Sequence, residues 1–305
     1  MTPSIMANLP SALTRSVLAI GAAGAACVGY GVFVEHDWYR SATYRLEILP
    51  PPATEPLTIL HLSDLHFVRK DRKKRAFLAS LPRPDIAVVT GDFLAEPEGV
   101  EIAVQSVGAV RGRVASYFVL GSNDYFVPVM IDPFDYLWKH RTRHRSKPNR
   151  WRDLVAGLEA DGWTFLRNAK AGLRQDGLGL EVVGLDDPHI KRHDLRVAPR
   201  SRPEDFGLAI VHSPDPAPEL VALGYQLILA GHTHGGQVRF PIVGAVLTNG
   251  TTPTKLAMGL ARLGPSLLHV SPGLGTSKFA PFRFLCRPEA TFLELAPRAA
   301  APDGH

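Results

Sequence analysis

Along the middle of this chain, short apolar runs end again and again in polar residues of the kind that bind metals. Residues 57–62 run into Ser63-Asp64-Leu65-His66, residues 86–89 into Thr90-Gly91-Asp92, and residues 117–120 into Gly121-Ser122-Asn123-Asp124. Two later runs do the same: 208–211 leads to His212-Ser213-Pro214-Asp215, and 227–230 to Gly231-His232-Thr233-His234. Four to six apolar positions bounded by turn residues make a buried strand rather than a helix. The intervening stretches, such as 100–110 and 152–159, have helical length and composition. Strands alternating with helices predict an α/β fold whose functional groups gather at the carboxyl ends of the strands. Residues two apart on an extended segment point the same way, so His232 and His234 can converge on one small volume. The flanking glycines let the backbone turn tightly there.

The amino-terminal part follows another pattern. Residues 16–34 carry no charged side chain over 19 positions, about 28 Å of helix against a hydrocarbon core of roughly 30 Å. This predicts a single transmembrane helix, either an anchor or an uncleaved signal. Arg15 precedes it and Glu35 and Asp37 follow, a charge order that places the bulk of the chain on the extracytoplasmic side. The domain organisation read from the pattern is a tail over 1–15, the membrane segment over 16–34, a proline-rich linker over 35–56, one catalytic domain over 57–296 and a disordered tail over 297–305.

Composition changes this picture little. At 305 residues, 45% hydrophobic and 21% charged, the chain has a real core and is not disordered. A net charge of +5 favours anionic ligands such as phosphates or lipid headgroups, while nucleic acid is not expected as a partner. The two cysteines, Cys27 and Cys286, make no disulfide framework. Residues 139–152 hold nine basic or imidazole side chains in fourteen positions, between Trp138 and Trp151. They form either a solvated face or an anion-attracting element, with Arg143 as a candidate phosphate contact. The oligomeric state is left open.

Asp64, His66, Asp92, Asn123, His212, His232 and His234 are the candidate ligands at the strand ends. Carboxylate, amide and imidazole donors without thiolate suit divalent Mn, Fe or Zn. Seven donors exceed the needs of one ion and fit two ions roughly 3.5–4 Å apart that share a carboxylate.

In order, Asp64-x-His66, Gly91-Asp92, His212 and Gly231-His232-Thr233-His234 resemble the calcineurin-like metallophosphoesterases, in particular their small bacterial membrane-associated phosphodiesterase branch. The resemblance extends from about residue 57 to 295 and includes Gly184-Leu185-Asp186-Asp187 and Gly273-Leu274-Gly275, followed by Pro281-Phe282-Arg283. It implies a four-layer αββα sandwich in which Asp64, His66 and His234 hold one ion, His212 and His232 the other, and Asp92 bridges. It further implies hydrolysis of phosphodiester, or phosphomonoester, bonds by a metal-bridging hydroxide, with Asp64, Asp92, Asn123 and His232 as the catalytic set. Arg283, Asp187 and Arg143 are the expected substrate contacts. A membrane lipid carrying a pyrophosphate or phosphodiester headgroup is the alternative substrate, and a non-catalytic metal-binding scaffold the alternative role. The third element departs from the family's Gly-Asn-His-Asp. Aligned without a gap, Ser122 takes the amide-ligand position and Asn123 that of the proton-donating histidine; with the loop rearranged, Asn123 is the ligand. A hydroxyl replaces an amide oxygen poorly, so Asn123 is the expected ligand, and in either register the usual proton donor is missing.

Overall fold

The computed structural model describes residues 12–129, 147–248 and 252–298. Its helices are α1 (Ala12–Phe33), α2 (Arg72–Ala79), α3 (Val100–Gly108), α4 (Ser122–Tyr125), α5 (Trp151–Ala160) and α6 (Ala217–Ala222). The strands are β1 (Arg40–Leu49), β2 (Leu57–Leu62), β3 (Ile86–Thr90), β4 (Ala115–Val119), β5 (Thr164–Phe165), β6 (Ala169–Gln175) and β7 (Leu178–Gly184). They continue as β8 (Phe206–Ile210), β9 (Leu227–Ala230), β10 (Arg239–Phe240), β11 (Gly244–Ala245), β12 (Gly259–Leu263), β13 (Ser266–Val270) and β14 (Glu289–Pro297).

Two six-stranded sheets, ordered β1-β14-β2-β3-β4-β5 and β12-β13-β9-β8-β7-β6, face each other. Period-two alternation explains the layering, because both faces of the inner strands are buried but against different partners. Leu57, Ile59, Ile86 and Val88 meet Leu208, Ile210, Leu227 and Leu229 in the core between the sheets. The alternate residues Leu60, Leu62, Ala87 and Val89 pack beneath Leu78 of α2, Val107 of α3 and Leu154 of α5. On the far side Ala209, Ile228 and Ala230 pack with Leu220 of α6. This is the four-layer αββα sandwich. One polar network crosses its middle: His61 Nδ1 lies 2.8 Å from His269 Nδ1, and His61 Nε2 lies 2.9 Å from the Thr90 hydroxyl. Burial lowers the pKa of both imidazoles well below the usual value.

Residues 35–56 are not the linker the sequence suggests. β1 pairs in parallel with β14 from Arg40 opposite Glu289 to Leu49 opposite Pro297, and Leu46 and Leu49 are buried between the sheets. An edge strand with one exposed face and charges at Arg40, Arg45 and Glu47 hides its alternation. Glu35 is buried, its carboxylate accepting from the backbone N–H groups of Leu285 (2.8 Å) and Cys286 (2.5 Å). The domain therefore begins where α1 ends. At the other terminus β14 runs to Pro297, and Arg298 N–H donates to Leu49 O; residues 299–305 lie outside the described residues.

α1 has 22 residues, about 33 Å of helix, and the window around it reaches a mean hydropathy of 2.0. Val17, Leu18, Ile20, Val28 and Phe33 are more than half exposed. The helix is long and apolar enough to cross a membrane.

Candidate metal centre

Every strand-end motif delivers its side chain to one buried site. Asp64, His66, Asp92, His212 and His232 are each no more than 3% exposed. The loops that carry them are tightly wound: Asp64, His66, Asp92, His232 and His234 all have positive φ, between 44° and 69°. Backbone strain of this kind costs about 1–3 kcal/mol per residue and persists where the surroundings fix it. Glycine supplies the room. A Cβ on Gly121 would lie 2.2 Å from Asp92 Oδ1, and one on Gly231 1.8 Å from Ser63 Oγ.

Two donor groups share Asp64: Asp64, His66 and His234 in one, Asp64, Asp92 and His212 in the other. In the first, His66 Nε2 stands 3.3 Å from His234 Nε2, which is 3.5 Å from Asp64 Oδ1. In the second, Asp92 Oδ2 is 3.6 Å from His212 Nε2 and also 3.6 Å from His66 Nε2. His232 Nδ1 is 3.2 Å from His212 Nε2. Asn123 holds on to the same carboxylate, its backbone N–H 2.9 Å from Asp92 Oδ1 and its amide nitrogen 2.5 Å from Oδ2. Asn123 is thus the third-motif side chain that lies against Asp92.

His212 and Asp64 each commit one atom to the surrounding protein and turn the other to the site. His212 Nδ1 is 2.7 Å from Thr90 O, which places a proton on Nδ1 and turns Nε2 to the site. Asp64 Oδ2 is occupied by the Ser63 hydroxyl and His232 N–H at 2.7 and 2.9 Å, while buried Oδ1 has no hydrogen-bond partner among the described residues. Burial lowers His66 to about 4 and, with Arg283 nearby, His234 to about 3. For His212 burial acts downward, but Asp92, Asp187 and Asp64 outweigh it and raise it to about 9. Burial also pushes Asp92 upward, yet His212, His66 and Asn123 hold it well below the carboxylate range. Among the described residues no Lys or Arg forms an ion pair with Asp64, Asp92 or Asp187. Three buried carboxylates beside convergent imidazoles, with no Lys or Arg paired to them among the described residues, make a donor set that fits divalent ions.

The remaining expected residues divide. Asp187 joins the site: it is fully buried, with Oδ2 unpartnered among the described residues, and burial together with Asp92 raises it to about 7. Its neighbour Asp186 accepts from the Tyr125 hydroxyl at 2.7 Å and from Arg167, tying this loop to the third motif. Arg283, expected as a substrate contact, has backbone partners in the structure. It is fully buried, and its guanidinium donates to the carbonyls of Pro272, Gly273, Gly275 and Cys286. Both of its terminal nitrogens are turned toward backbone carbonyls, while Nε has no partner among the described residues. Arg143 and Trp138 lie outside the described residues.

Sequence reasoning missed His189, whose ring centroid is 4.5 Å from that of His232. Its signal is its position two residues after the Asp186-Asp187 motif, in the loop that follows β7. Asp124 was legible only as part of a motif. It accepts from the backbone N–H groups of Asp92, Leu94 and Gly121 at 2.8–3.0 Å and holds the second and third loops together.

A cavity of about 520 Å³ opens beside His66 and runs to His36 and Asp37 at the foot of α1. Lys70, Arg72, Lys73, Lys74 and Lys278 line it against two acids, Asp37 and Asp71. A second depression, of about 540 Å³, lies along the edge strand β6, where Lys170 and Arg174 pair with Glu181 and Asp205.

Residues 57–236, more than half of the chain, match the family model for calcineurin-like phosphoesterases. The chain belongs to that family. It is similar to the uncharacterized metallophosphoesterase YkuE of Bacillus subtilis, 28% identical over 88% of this chain and 89% of the relative. Phosphodiesterase YaeI of Escherichia coli is 25% identical over 88% of this chain and 92% of its own. UDP-2,3-diacylglucosamine pyrophosphatase LpxG of Chlamydia trachomatis is 27% identical over 76% and 82%. This calcineurin-like phosphoesterase is a metal-dependent hydrolase of phosphoric esters.

Proposed function

We propose that this phosphoesterase is a membrane-anchored, dinuclear enzyme that hydrolyses phosphodiester or phosphoanhydride bonds, with membrane lipids as its substrate class. The basic cavity between His66 and the foot of α1 carries this reading, because it joins the metal centre to the membrane segment through cationic side chains. The name of the relative LpxG, a pyrophosphatase of a diacylated sugar nucleotide, supports the lipid class.

Asp64, His66 and His234 would hold one ion, His212, His232 and Asn123 the other, and Asp92 would lie between them. Two divalent ions supply Lewis acidity and a water acidic enough to act as nucleophile at neutral pH. The chain's own part is preorganisation. The Thr90 carbonyl fixes the His212 tautomer, Ser63 and the His232 N–H commit one oxygen of Asp64, and Asp124 locks the Asp92 loop. In the metal-free protein burial and Asp92 raise both Asp187, to about 7, and Asp124, to about 8; of the two, Asp187 has an oxygen without a hydrogen-bond partner among the described residues and is the candidate proton donor. In this reading α1 spans the membrane and the domain lies on the extracytoplasmic face, supported by Arg15 before the helix and Glu35 and Asp37 after it.

The test is turnover by the full chain in detergent, loaded with Mn, Fe or Zn, on an aryl phosphodiester, an aryl monoester and a pyrophosphate-linked lipid. The expected order of kcat/KM is lipid, then diester, then monoester. Reversing Lys70 and Arg72 to Glu should lower kcat/KM on the lipid and leave metal content unchanged. A protein that binds two ions and turns over none of the three substrates would leave only the scaffold role.

A further inference from the structure

Just past the metal ligand His234 the chain forms a small hairpin, β10 against β11, with Phe240 opposite Gly244. Its apolar side chains face outward: Phe240 is 49% exposed, Ile242 108%, Val243 71%, Val246 52% and Leu247 67%. Phe279 and Leu285, 44% and 48% exposed, extend the patch. Large aliphatic side chains concentrated on one loop mark a surface that meets something apolar.

What it meets follows from where it sits. The Phe240 ring is 6.5 Å from that of Phe284, which lies edge-on at 6.3 Å to Tyr30 of α1. Arg283 N–H donates to Gly31 O at 3.2 Å, and a Cβ on Gly31 would lie 2.2 Å from the Phe282 ring. The hairpin therefore stands beside the last turns of the membrane-type helix, where Tyr30 and the half-exposed Trp38 supply the aromatic residues typical of a membrane interface. It is also rigidly joined to the site. Arg239 Nη1 donates to Gly235 O at 3.0 Å, and the Gln237 amide donates to the carbonyls of Ala280 and Phe282 at 3.1 Å. The rim of the basic cavity is the same loop, through Lys278 and Pro281.

We propose that the 240–247 hairpin, with Phe279 and Leu285, is a second membrane contact that enters the interfacial layer of the bilayer crossed by α1. It holds the mouth of the metal site at the lipid surface, so that a lipid headgroup reaches the cavity while its acyl chains stay in the bilayer. The inference rests on the reading of α1 as a membrane span.

The experiment uses the full chain with Cys27→Ser, since Cys286 is buried. An environment-sensitive fluorophore is placed at Ile242→Cys, at Leu18→Cys in α1, or at the exposed Arg174→Cys. Each protein is reconstituted in vesicles of phosphatidylcholine and phosphatidylglycerol carrying nitroxide-labelled acyl chains. Quenching of about twofold or more is expected at positions 18 and 242 and none at 174. The double change Ile242→Asp with Val243→Asp should lower turnover of a vesicle-borne lipid by about tenfold or more and leave aryl diester turnover and metal content unchanged. Quenching at 18 without quenching at 242 overturns the proposal and leaves the span in place. Quenching at neither position removes the span and the proposal together. A protected, unquenched position 242 with concentration-dependent dimerisation assigns the face to a second copy of this chain and overturns the proposal as well.

Discussion

Replacing Arg283 with methionine separates a brace from a phosphate contact. The guanidinium is buried without a carboxylate partner among the described residues, and its donors reach Pro272 O at 2.8 Å, Gly275 O at 2.6 Å, Cys286 O at 3.1 Å and Gly273 O at 3.2 Å. Methionine fills the volume of the stem and relieves the cost of burying a charge, but it leaves these carbonyls without donors. One nitrogen serves three of the four acceptors, so about two strong charge-assisted bonds are at stake, at ~1.5–3 kcal/mol each. Relief of the buried charge offsets part of this, for a net loss of about 2–4 kcal/mol. At roughly 2–4 °C per kcal/mol for a chain of this size, the Tm of the protein in detergent should fall by about 10 °C. The loop held by Arg283 also supports the site, since Gly275 N–H donates to Asp64 O at 2.6 Å and Leu274 N–H to Ser63 O at 3.1 Å. Affinity for the ion at Asp64, His66 and His234 should drop with stability, while KM for a soluble aryl diester at saturating metal stays near the parent value. Differential scanning fluorimetry beside steady-state kinetics reads both quantities. A Tm within about 2 °C of the parent together with a KM raised tenfold would refute the bracing role and make Arg283 a substrate contact.

Other outcomes follow from the same geometry. In the metal-free protein the carboxylates around His212 overcome burial and raise it to about 9, and ligation needs the neutral ring. Uptake of the ion at His212 should then expel a proton, its affinity rising about tenfold per pH unit up to about pH 9. His66 and His234, at about 4 and 3, are already neutral at pH 6, so dialysis there should strip the His212 ion first; simultaneous loss of both ions would contradict this. The missing donor at the third motif predicts aryl leaving groups far preferred over alkyl ones, by about 10²–10⁴-fold. Ser122→Asn with Asn123→His should flatten that dependence with both ions retained, and an unchanged dependence would pass the donor role to Asp187. A chain shortened to begin at Leu57 loses the β1 partner of β14 and should aggregate, whereas one beginning at Glu35 should retain the fold by circular dichroism; a well-folded Leu57 form would show β1 to be dispensable.

The candidate metal centre was legible because each candidate ligand follows a completed apolar run, and strand period alone sends such residues to one end of the sheet. β2, β3, β4, β8 and β9 stand where those runs predicted them. β1 was not legible, since an edge strand buries only one face and its charges read as linker. Arg283 misled because an arginine in a glycine- and proline-rich loop has the same sequence signature whether it faces phosphate or backbone carbonyls. The positive φ values at Asp64, His66, Asp92, His232 and His234 leave no mark in the residue types, as glycine alone advertises that conformation. His61 and His269 look like apolar-run interruptions in the sequence, and only the facing of the two sheets turns them into a hydrogen-bonded pair.

Asp92 is the group on which the dinuclear reading turns, with Oδ2 3.6 Å from both His66 Nε2 and His212 Nε2. Elemental analysis of the full chain and its Asp92→Ala variant, paired with aryl phosphodiester turnover, therefore tests the central claim most directly. Without the carboxylate two divalent ions would face each other unshielded. The parent should carry two ions per chain and turn over the diester, while the variant should carry at most one and fall to background. A variant that keeps two ions at undiminished affinity and hydrolyses the diester at the parental rate would contradict the account.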